Sequence, residues 1–333
     1  MASERNPSIE LYRVLMMFGI VLLHTIVHGG YLRSRGLDNV ALSCVDAFVF
    51  ISGYFGIRFR LSKVVSLLLS SAWCLMVVVG MRCFFCGTGW SGDVFCGCDW
   101  FLWAYVLLMC FAPIFESVFS NQEKVVALIF PILFVVFVWS YMSMWPMLKG
   151  RIPAPVGFSP RSFLTLIGIY LVARMVKIYN VDSRLPVWSI MVIGGVSVGG
   201  AWIGFGHYNS AFALGIALSG FALFSRLRIP SSRARIVIWC VPSLFPIYLL
   251  HANSFGFPLL VKVNEWYIDG CHIPLYIGHF LTSLTVFCVC LIVDQIRRGA
   301  VYGVKKAGVT LQCIDVFYDR FVAILQHKVE SRP

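Results

Sequence analysis

Apolar runs long enough to cross a lipid bilayer recur from one end of this 333-residue chain to the other. About 20 consecutive apolar residues cross the hydrocarbon core as a helix. Because lipid offers no hydrogen-bond partners, such segments must satisfy their own peptide groups, which a helix does. With 59% hydrophobic and 13% charged residues, the composition also excludes an ordinary soluble domain. The sequence therefore predicts an integral membrane protein.

About ten of these runs are predicted to span the membrane, giving an all-α polytopic bundle. They cover residues 12–30, 40–57, 64–85, 100–118, 124–143, 162–179, 186–205, 209–224, 236–256 and 274–295. The seventh and eighth are rich in glycine and also suit a broken or re-entrant pair, although glycine is frequent in ordinary membrane helices. We expect a transmembrane domain over 1–298 and a cytoplasmic tail over 299–333 that carries an amphipathic surface helix.

The distribution of lysine and arginine predicts the orientation, because these residues are retained on the cytoplasmic side. With the N-terminus inside, most of them fall on cytoplasmic segments, so both termini are predicted to be cytoplasmic. This placement, with attraction to anionic lipid, accounts for the net charge of +12. The chain has no basic region interleaved with aromatic residues, so we expect no nucleic-acid partner.

The first predicted helix contains polar side chains in the stretch ELYRVLMMFGIVLLHTIVH. Arg13 and His24 are eleven residues apart, a rotation of about 1100° that returns to nearly the same face after a rise of about 16 Å. A lone histidine in a membrane helix often makes only a helix–helix hydrogen bond. An ionisable residue at this depth is also a candidate functional group.

The second predicted helix adds a carboxylate, Asp46, inside its apolar run. A charge there costs about 2.5 to 3.5 kcal/mol to insert, so it needs a partner. If the two helices form an antiparallel hairpin, Asp46 and His24 lie at the same depth. A neighbouring carboxylate fixes the tautomer of an imidazole, and the other ring nitrogen can then take a proton from an alcohol. We predict that His24 is a general base and that Asp46 orients it.

In the same antiparallel hairpin, Arg13 lies at the depth of the segment GIRFRLSK, which contains Arg58, Arg60 and Lys63. This cluster can be a simple positive-inside anchor. It can also bind the phosphates of a nucleotide-bearing donor, because arginine holds phosphate through paired hydrogen-bond donors.

Four segments of the chain resemble those of the acyltransferase-3 family of bacterial membrane O-acyltransferases. They are RVLMMFGIVLLH, VDAFVFISGYF, WFLWAYVLLMCFAPIF and SLFPIYLLH. The resemblance implies transfer of an acyl group, commonly acetyl, from an acyl-CoA thioester on the cytoplasmic side of the bacterial inner membrane. The implied acceptor is a hydroxyl of a cell-surface glycan or its lipid-linked precursor. In this family likeness His24 is the catalytic base and Arg13 supports the donor.

Four further residues within these segments are predicted to support the site. Ser52 and Gly53 are positions of close approach between helices. Tyr248 and His251 are three residues apart and share one face of the ninth predicted span. For this last pair, ordinary packing remains an equal alternative.

Other readings of the same residues compete. A proton-coupled secondary transporter also uses buried His and Asp and glycine-interrupted helices, and a purely structural or receptor bundle is a further class. His24 and His28 have a zinc-compatible spacing, but no third ligand is evident, so no metal is expected. Direct transfer is favoured over a covalent acyl-enzyme, because the sequence places no serine or cysteine beside His24.

Cysteines cluster in the predicted outer loop between spans three and four. They are Cys83, Cys86, Cys96 and Cys98. In an oxidising compartment they could form disulfides, and a zinc or redox site is the alternative.

Overall fold

The computed structural model describes residues 6–31, 35–87, 100–119, 128–134, 163–208, 210–307 and 311–320. Within these ranges the regular elements are helices, which confirms an all-helical membrane bundle. The helices, numbered here in chain order, are α1 Pro7–His28, α2 Arg35–Phe55, α3 Leu61–Cys86, α4 Trp100–Phe119, α5 Phe163–Ile178, α6 Val181–Arg184, α7 Val187–Gly200, α8 Ala211–Arg226, α9 Ser231–Cys240, α10 Leu244–His251, α11 Gly256–Glu265 and α12 Leu275–Lys306.

Seven helical stretches in the described part of the chain are long and apolar enough to cross a bilayer. They are Pro7–His28, Gly36–Phe55, Leu61–Phe85, Trp100–Phe119, Val187–Phe205, Ser232–His251 and Leu275–Lys306, and each overlaps a predicted span. The spans predicted at 162–179 and 209–224 correspond to α5 and α8, which have 16 residues each, or about 24 Å of helix. Of the span predicted at 124–143, residues 128–134 are described and helical, so the count of ten stays a prediction.

Helix α1 is the central element of the bundle. It begins where the side chain of Asn6 accepts a hydrogen bond from the Ser8 N–H at 3.0 Å, and Pro7 takes a first-turn position that needs no N–H. It packs along α2 as the predicted antiparallel hairpin and also contacts α8, α9, α10, α11 and α12. A polar side chain on α1 can therefore meet residues from most of the other described helices.

The glycine-rich region forms two antiparallel helices, α7 and α8. Helix α7 continues as a π-helical turn, Ala201–Phe205, and α8 starts after Ser210, whose side chain accepts from the Ala213 N–H at 3.0 Å. A Cβ added to Gly194 would lie 3.0 Å from the Ser219 hydroxyl on the facing helix. The small residues thus let the two backbones approach closely, as in many membrane helix pairs.

The ninth predicted span is a broken helix. Helix α9 gives way to a 3-10 turn, Val241–Ser243, before α10 begins. Pro242 supplies no N–H and so interrupts the ladder of helical hydrogen bonds. Helix α10, which follows this turn, carries Tyr248 and His251.

Two arginines of α12 bind backbone carbonyls beside this break. Arg297 donates to the Pro242 oxygen at 3.2 Å, and Arg298 donates to the Trp239 oxygen at 2.8 Å. Arg297 is also paired with the fully buried Asp294, with 2.6 Å between Nε and Oδ1. Carbonyls that the turn leaves outside the helical ladder are therefore satisfied by side chains, as a low-dielectric setting requires.

The C-terminal part of the described chain differs in detail from the predicted boundary. Helix α12 continues to Lys306, so the limit predicted at 298 falls inside a helix. A tail helix follows at 312–320, and its exposed apolar residues include Val316 and Phe317. The described residues form a helix in this region. That this helix lies on the membrane surface stays a prediction.

Candidate active site

Two histidines from distant parts of the chain meet near the ends of α1 and α10. Nδ1 of His24 lies 2.8 Å from Nε2 of His251. His251 is buried, and its Nδ1 lies 2.6 Å from the backbone oxygen of Ile247, one turn earlier on α10. His24 is half-buried, one turn before α1 ends at His28. A continuous chain of hydrogen bonds thus connects His24 through His251 to a backbone carbonyl.

The order of these hydrogen bonds fixes the tautomers of two neutral rings. A carbonyl oxygen can only accept, so His251 carries its proton on Nδ1 and donates it to Ile247. Nε2 of His251 then holds the lone pair and accepts from the Nδ1–H of His24. As a result, the lone pair of His24 lies on Nε2, which is the nitrogen able to act as a base.

Aromatic rings hold the His24 imidazole in place. Its ring centroid lies 6.1 Å from that of Tyr248, 5.8 Å from Phe257 and 6.0 Å from His28. Phe257 also stacks on His28, with 4.0 Å between centroids. Because packed rings have few alternative rotamers, the His24 imidazole is held in one orientation.

His24 lines a cavity whose walls come mainly from aromatic side chains. The lining residues are Met17, Ile20, His24, Val45, Phe48, Trp100, Phe101, Tyr208, Phe245 and Tyr248. They belong to α1, α2, α4, α10 and the connection that precedes α8. Its volume of about 20 Å³ is room for about one water molecule, so a larger ligand enters only if these walls move apart.

Asp46 lies on α2, the helix that packs along α1, and it is fully buried. Because Nδ1 of His24 is bonded to His251, a direct bond from Asp46 to His24 would have to use Nε2. In the neutral tautomer derived above, Nε2 has no proton to donate, so an ionised carboxylate interacts best with the imidazolium. The pairing of Asp46 with His24 stays a prediction.

Ser52 and Gly53 lie further along α2, at contacts with two other helices. The Ser52 hydroxyl is 3.2 Å from the hydroxyl of Tyr105 on α4. A Cβ added to Gly53 would lie 2.7 Å from the backbone oxygen of Tyr170 and 2.9 Å from Cβ of Ala173, both on α5. Gly53 therefore has a packing reason to be glycine, because α2 and α5 approach too closely for a larger residue.

The predicted donor-binding residues lie at the other end of α1 and around the start of α3. Arg13 is partly exposed and forms an ion pair with Glu10, with 3.3 Å between Nη1 and Oε1. Arg58 and Arg60 are exposed in the connection between α2 and α3, and Lys63 is exposed in the first turn of α3. These three side chains form an accessible basic surface, as a phosphate site requires.

A polar cluster that was not predicted from the sequence lies at the same end of the bundle. Arg174 of α5 binds Glu116 of α4 in two-pronged geometry, with Nε–Oε1 at 2.7 Å and Nη2–Oε2 at 2.5 Å. The hydroxyl of Tyr170 donates to Glu116 at 2.6 Å and accepts from the Ile57 N–H at 3.2 Å. Two signals were available, namely Glu116 inside an apolar run and the i, i+4 spacing of Tyr170 and Arg174.

The structure describes only some of the residues on which the metal and cysteine predictions depend. Among the residues that the structure describes, no three His, Cys, Asp or Glu side chains are close enough to hold a metal ion. Cys83 is described and exposed at the end of α3. The other three cysteines of that loop, Cys86, Cys96 and Cys98, have side chains outside the described part, so the disulfides stay a prediction.

The fold and the site together define a multi-pass helical membrane protein with a positioned histidine beside an aromatic-lined cavity. The model of the acyltransferase domain of the acyltransferase 3 family matches residues 6–294, well over half of the chain. The chain therefore belongs to the acyltransferase 3 family, which confirms the resemblance of its four segments. The matched range contains both His24 and His251. No curated protein and no solved structure matches the chain.

Proposed function

We propose that this protein is an O-acyltransferase that moves an acyl group, expected to be acetyl, from acyl-CoA to a hydroxyl of a cell-surface glycan or its lipid-linked precursor. Membership of the acyltransferase 3 family supports the reaction class. The observation that carries the chemistry is the chain of hydrogen bonds from Ile247 through His251 to His24, which leaves a lone pair on His24 Nε2.

In the proposed mechanism, His24 Nε2 takes the proton of the acceptor hydroxyl as its oxygen attacks the carbonyl carbon of the thioester. The new C–O bond forms, the C–S bond breaks, and the departing CoA sulfur takes the proton from the imidazolium. His251 holds His24 in the reactive tautomer throughout this step. Asp46 is assigned the role of stabilising the transient imidazolium through its charge, which acts strongly in a low-dielectric interior.

The donor is proposed to bind with its phosphates at Arg58, Arg60 and Lys63, assisted by Arg13. Exposure of the first three supports this assignment, because phosphates must approach from water. Along α1, Arg13 and His24 are separated by about 16 Å. The thioester end of the donor must therefore extend into the bundle to reach the base.

The acceptor is proposed to reach His24 through the cavity beside it, whose walls must move apart to admit a sugar ring. Its aromatic walls offer flat apolar faces, while Tyr208 and Tyr248 add hydroxyl groups that can hydrogen-bond to a polyol. A sugar ring has both kinds of surface. This combination supports a carbohydrate acceptor.

We further propose ten spans with both termini in the cytoplasm of a bacterial cell, in its inner membrane. The α1–α2 hairpin puts the start of α1 and the start of α3 at the same end of the bundle, and one contact at each of these helix starts supports a common side for the two termini. The Ser8 hydroxyl near the N-terminus donates to the Leu227 oxygen after α8 at 2.7 Å, and Asp315 of the tail helix binds Ser62 at the start of α3.

The proposed function is tested by mass spectrometry of surface glycans from a strain that lacks the gene. We expect a loss of one acyl mass, restored by the wild-type protein and by His272→Asn but not by His24→Ala. His272 is the control because it is an exposed histidine in the connection before α12, and asparagine tolerates its positive φ. Restoration by His24→Ala would remove the catalytic role of His24. An unchanged glycan in the deletion strain would instead favour the proton-coupled transporter.

A further inference from the structure

The tail helix at 312–320 is docked onto the start of α3. Oδ1 of Asp315 accepts from the Ser62 N–H at 2.8 Å, and Oδ2 accepts from the Ser62 hydroxyl at 2.6 Å. The rings of Phe59 and Tyr318 lie beside this contact, with 5.4 Å between centroids. Two segments more than 250 residues apart in sequence therefore meet at one polar contact and one ring contact.

The position that Asp315 occupies is built for an anion. The first N–H groups of a helix have no partner within the helix, and its N-terminus carries partial positive charge. The N-cap residue of α3, Arg60, makes no side-chain capping hydrogen bond, so the carboxylate of Asp315 supplies that contact from outside. The hydrogen bonds from Ser62 hold the pKa of the Asp315 carboxyl below its usual range, and the charges of Arg60 and Lys63 add to the effect.

We propose that Asp315 is an internal competitor that occupies the phosphate site of the acyl-CoA donor, so that the tail helix must leave Ser62 before the donor binds fully. The inference rests on the proposed function, which assigns Arg60 and Lys63 to the donor phosphates. A carboxylate and a phosphate present the same kind of acceptor oxygens to the Ser62 N–H and hydroxyl. The two occupants cannot use these donors together.

The contact between Asp315 and Ser62 is weak enough for another anion to replace the carboxylate. Asp315 is partly exposed, and ionic contacts of solvent-accessible side chains are weak and screened by salt. A phosphate group carries more charge than one carboxylate and offers more acceptor oxygens. Donor phosphates can therefore displace the tail helix without a large change in the bundle.

The first test measures the dissociation constant of acetyl-CoA with purified full-length protein. Asp315→Asn keeps the shape of the side chain and removes its charge, so we expect binding to become about threefold to tenfold tighter as the competitor is lost. Asp319→Asn is the matched control, because Asp319 is exposed one turn further along the same helix. It should leave the constant unchanged. Equal affinity in wild type and Asp315→Asn would overturn the proposal.

The second test follows amide hydrogen exchange in the tail helix with inorganic pyrophosphate as the probe, against potassium chloride at the same ionic strength. Pyrophosphate should speed exchange across 312–320 in the wild type, because undocked helices open more readily. In Asp315→Asn exchange should already be fast and insensitive to the probe. Unchanged exchange in the wild type would show that the tail helix only caps α3.

The two tests separate this inference from the donor assignment. If acetyl-CoA binds neither protein, the donor assignment fails, and the pyrophosphate experiment still decides whether the tail helix competes with an anion at Ser62. If acetyl-CoA binds both proteins equally and pyrophosphate does not release the tail helix, the donor assignment stands and the competition is refuted.

Discussion

At the scale of single residues, the chemistry depends on which nitrogen of His24 carries the proton. An isolated neutral imidazole exchanges between two tautomers, and only one of them presents Nε2 as a base. The 2.6 Å hydrogen bond between His251 and the Ile247 oxygen removes this freedom, since that carbonyl accepts only one tautomer of His251. Because Nε2 of His251 can then only accept, the proton of His24 must lie on Nδ1. In the proposed mechanism His251 is a positioning residue that acts through His24.

Two replacements of His251 are therefore expected to reduce activity to different extents. His251→Leu removes the acceptor for the Nδ1–H of His24, and we expect kcat for acyl transfer to fall by about a hundredfold, while KM for acyl-CoA stays near the wild-type value. His251→Gln offers a side-chain oxygen to the same N–H and should retain about tenfold more activity than His251→Leu. Steady-state kinetics of the purified variants measure both values.

A purely structural role of His251 would give a different pattern. The two variants would then lose activity in parallel with the temperature of unfolding, without rescue by glutamine. Measurement of thermal unfolding beside the kinetics separates the two cases. Wild-type kcat in His251→Leu would refute the positioning role.

At the scale of helices, the contact between α2 and α5 depends on Gly53. Gly53→Ala would place a Cβ 2.7 Å from the Tyr170 oxygen and 2.9 Å from the Ala173 Cβ, so the helices must separate. We expect a loss of about 1 to 3 kcal/mol in the free energy of unfolding, as for overpacked cores. The apparent melting temperature in detergent measures the loss.

The matched control for this change is Gly80→Ala on α3. Among the described residues, no atom lies within 4 Å of a Cβ built at Gly80, so the substitution meets open space. It should leave the melting temperature unchanged or raise it slightly, because alanine has the higher helix propensity. A similar loss in both variants would mean that crowding against α5 is not the cause.

Contacts between residues close in sequence could be predicted, and contacts between residues far apart in sequence could not. The α1–α2 hairpin and the start of α4 at Trp100 could be predicted, because apolar length and short polar turns are local signals. The bond between His24 and His251 joins residues 227 apart, and no local pattern states which helices are neighbours. The comparison of depths suggested Asp46 as the partner of His24, because it considered only the two helices that are adjacent in sequence, α1 and α2. The sequence marked Tyr248 and His251 as candidates without identifying their partner.

Two contacts missed by prediction show the same limit. The ion pair of Glu116 and Arg174 joins α4 to α5 across a stretch that contains another predicted span. Positive-inside counting treated Arg174 as a topological signal, although its charge is used within the bundle. The contact of Asp315 with Ser62 likewise depends on where α12 ends relative to α3. Charge patterns identify an end of the bundle, and packing decides which charges meet there.

At the scale of the whole molecule, the contacts group the helix ends into two sets. The α1–α2 hairpin places the start of α1 and the start of α3 at one end. There Ser8 bonds to Leu227, and Asp315 bonds to Ser62. At the other end, the Asn264 side chain donates to the Gly29 oxygen after α1 at 3.0 Å. The acyl donor and the acceptor are therefore proposed to approach from opposite ends of α1. Transfer across the membrane then needs no movement of the glycan into the cytoplasm.

This arrangement is tested by labelling single-cysteine variants with a membrane-impermeant maleimide. Cys271, in the connection before α12, and Cys313, on the tail helix, are both exposed and lie at opposite ends of α12. We expect Cys271 to react in intact spheroplasts and Cys313 to react only after permeabilisation, because basic residues near the α2–α3 connection hold that end in the cytoplasm. Denatured samples, in which both cysteines react, control for reactivity. Labelling of Cys313 in intact spheroplasts would invert the topology, and the acyl-CoA site proposed at Arg58, Arg60 and Lys63 would then face a compartment without its donor.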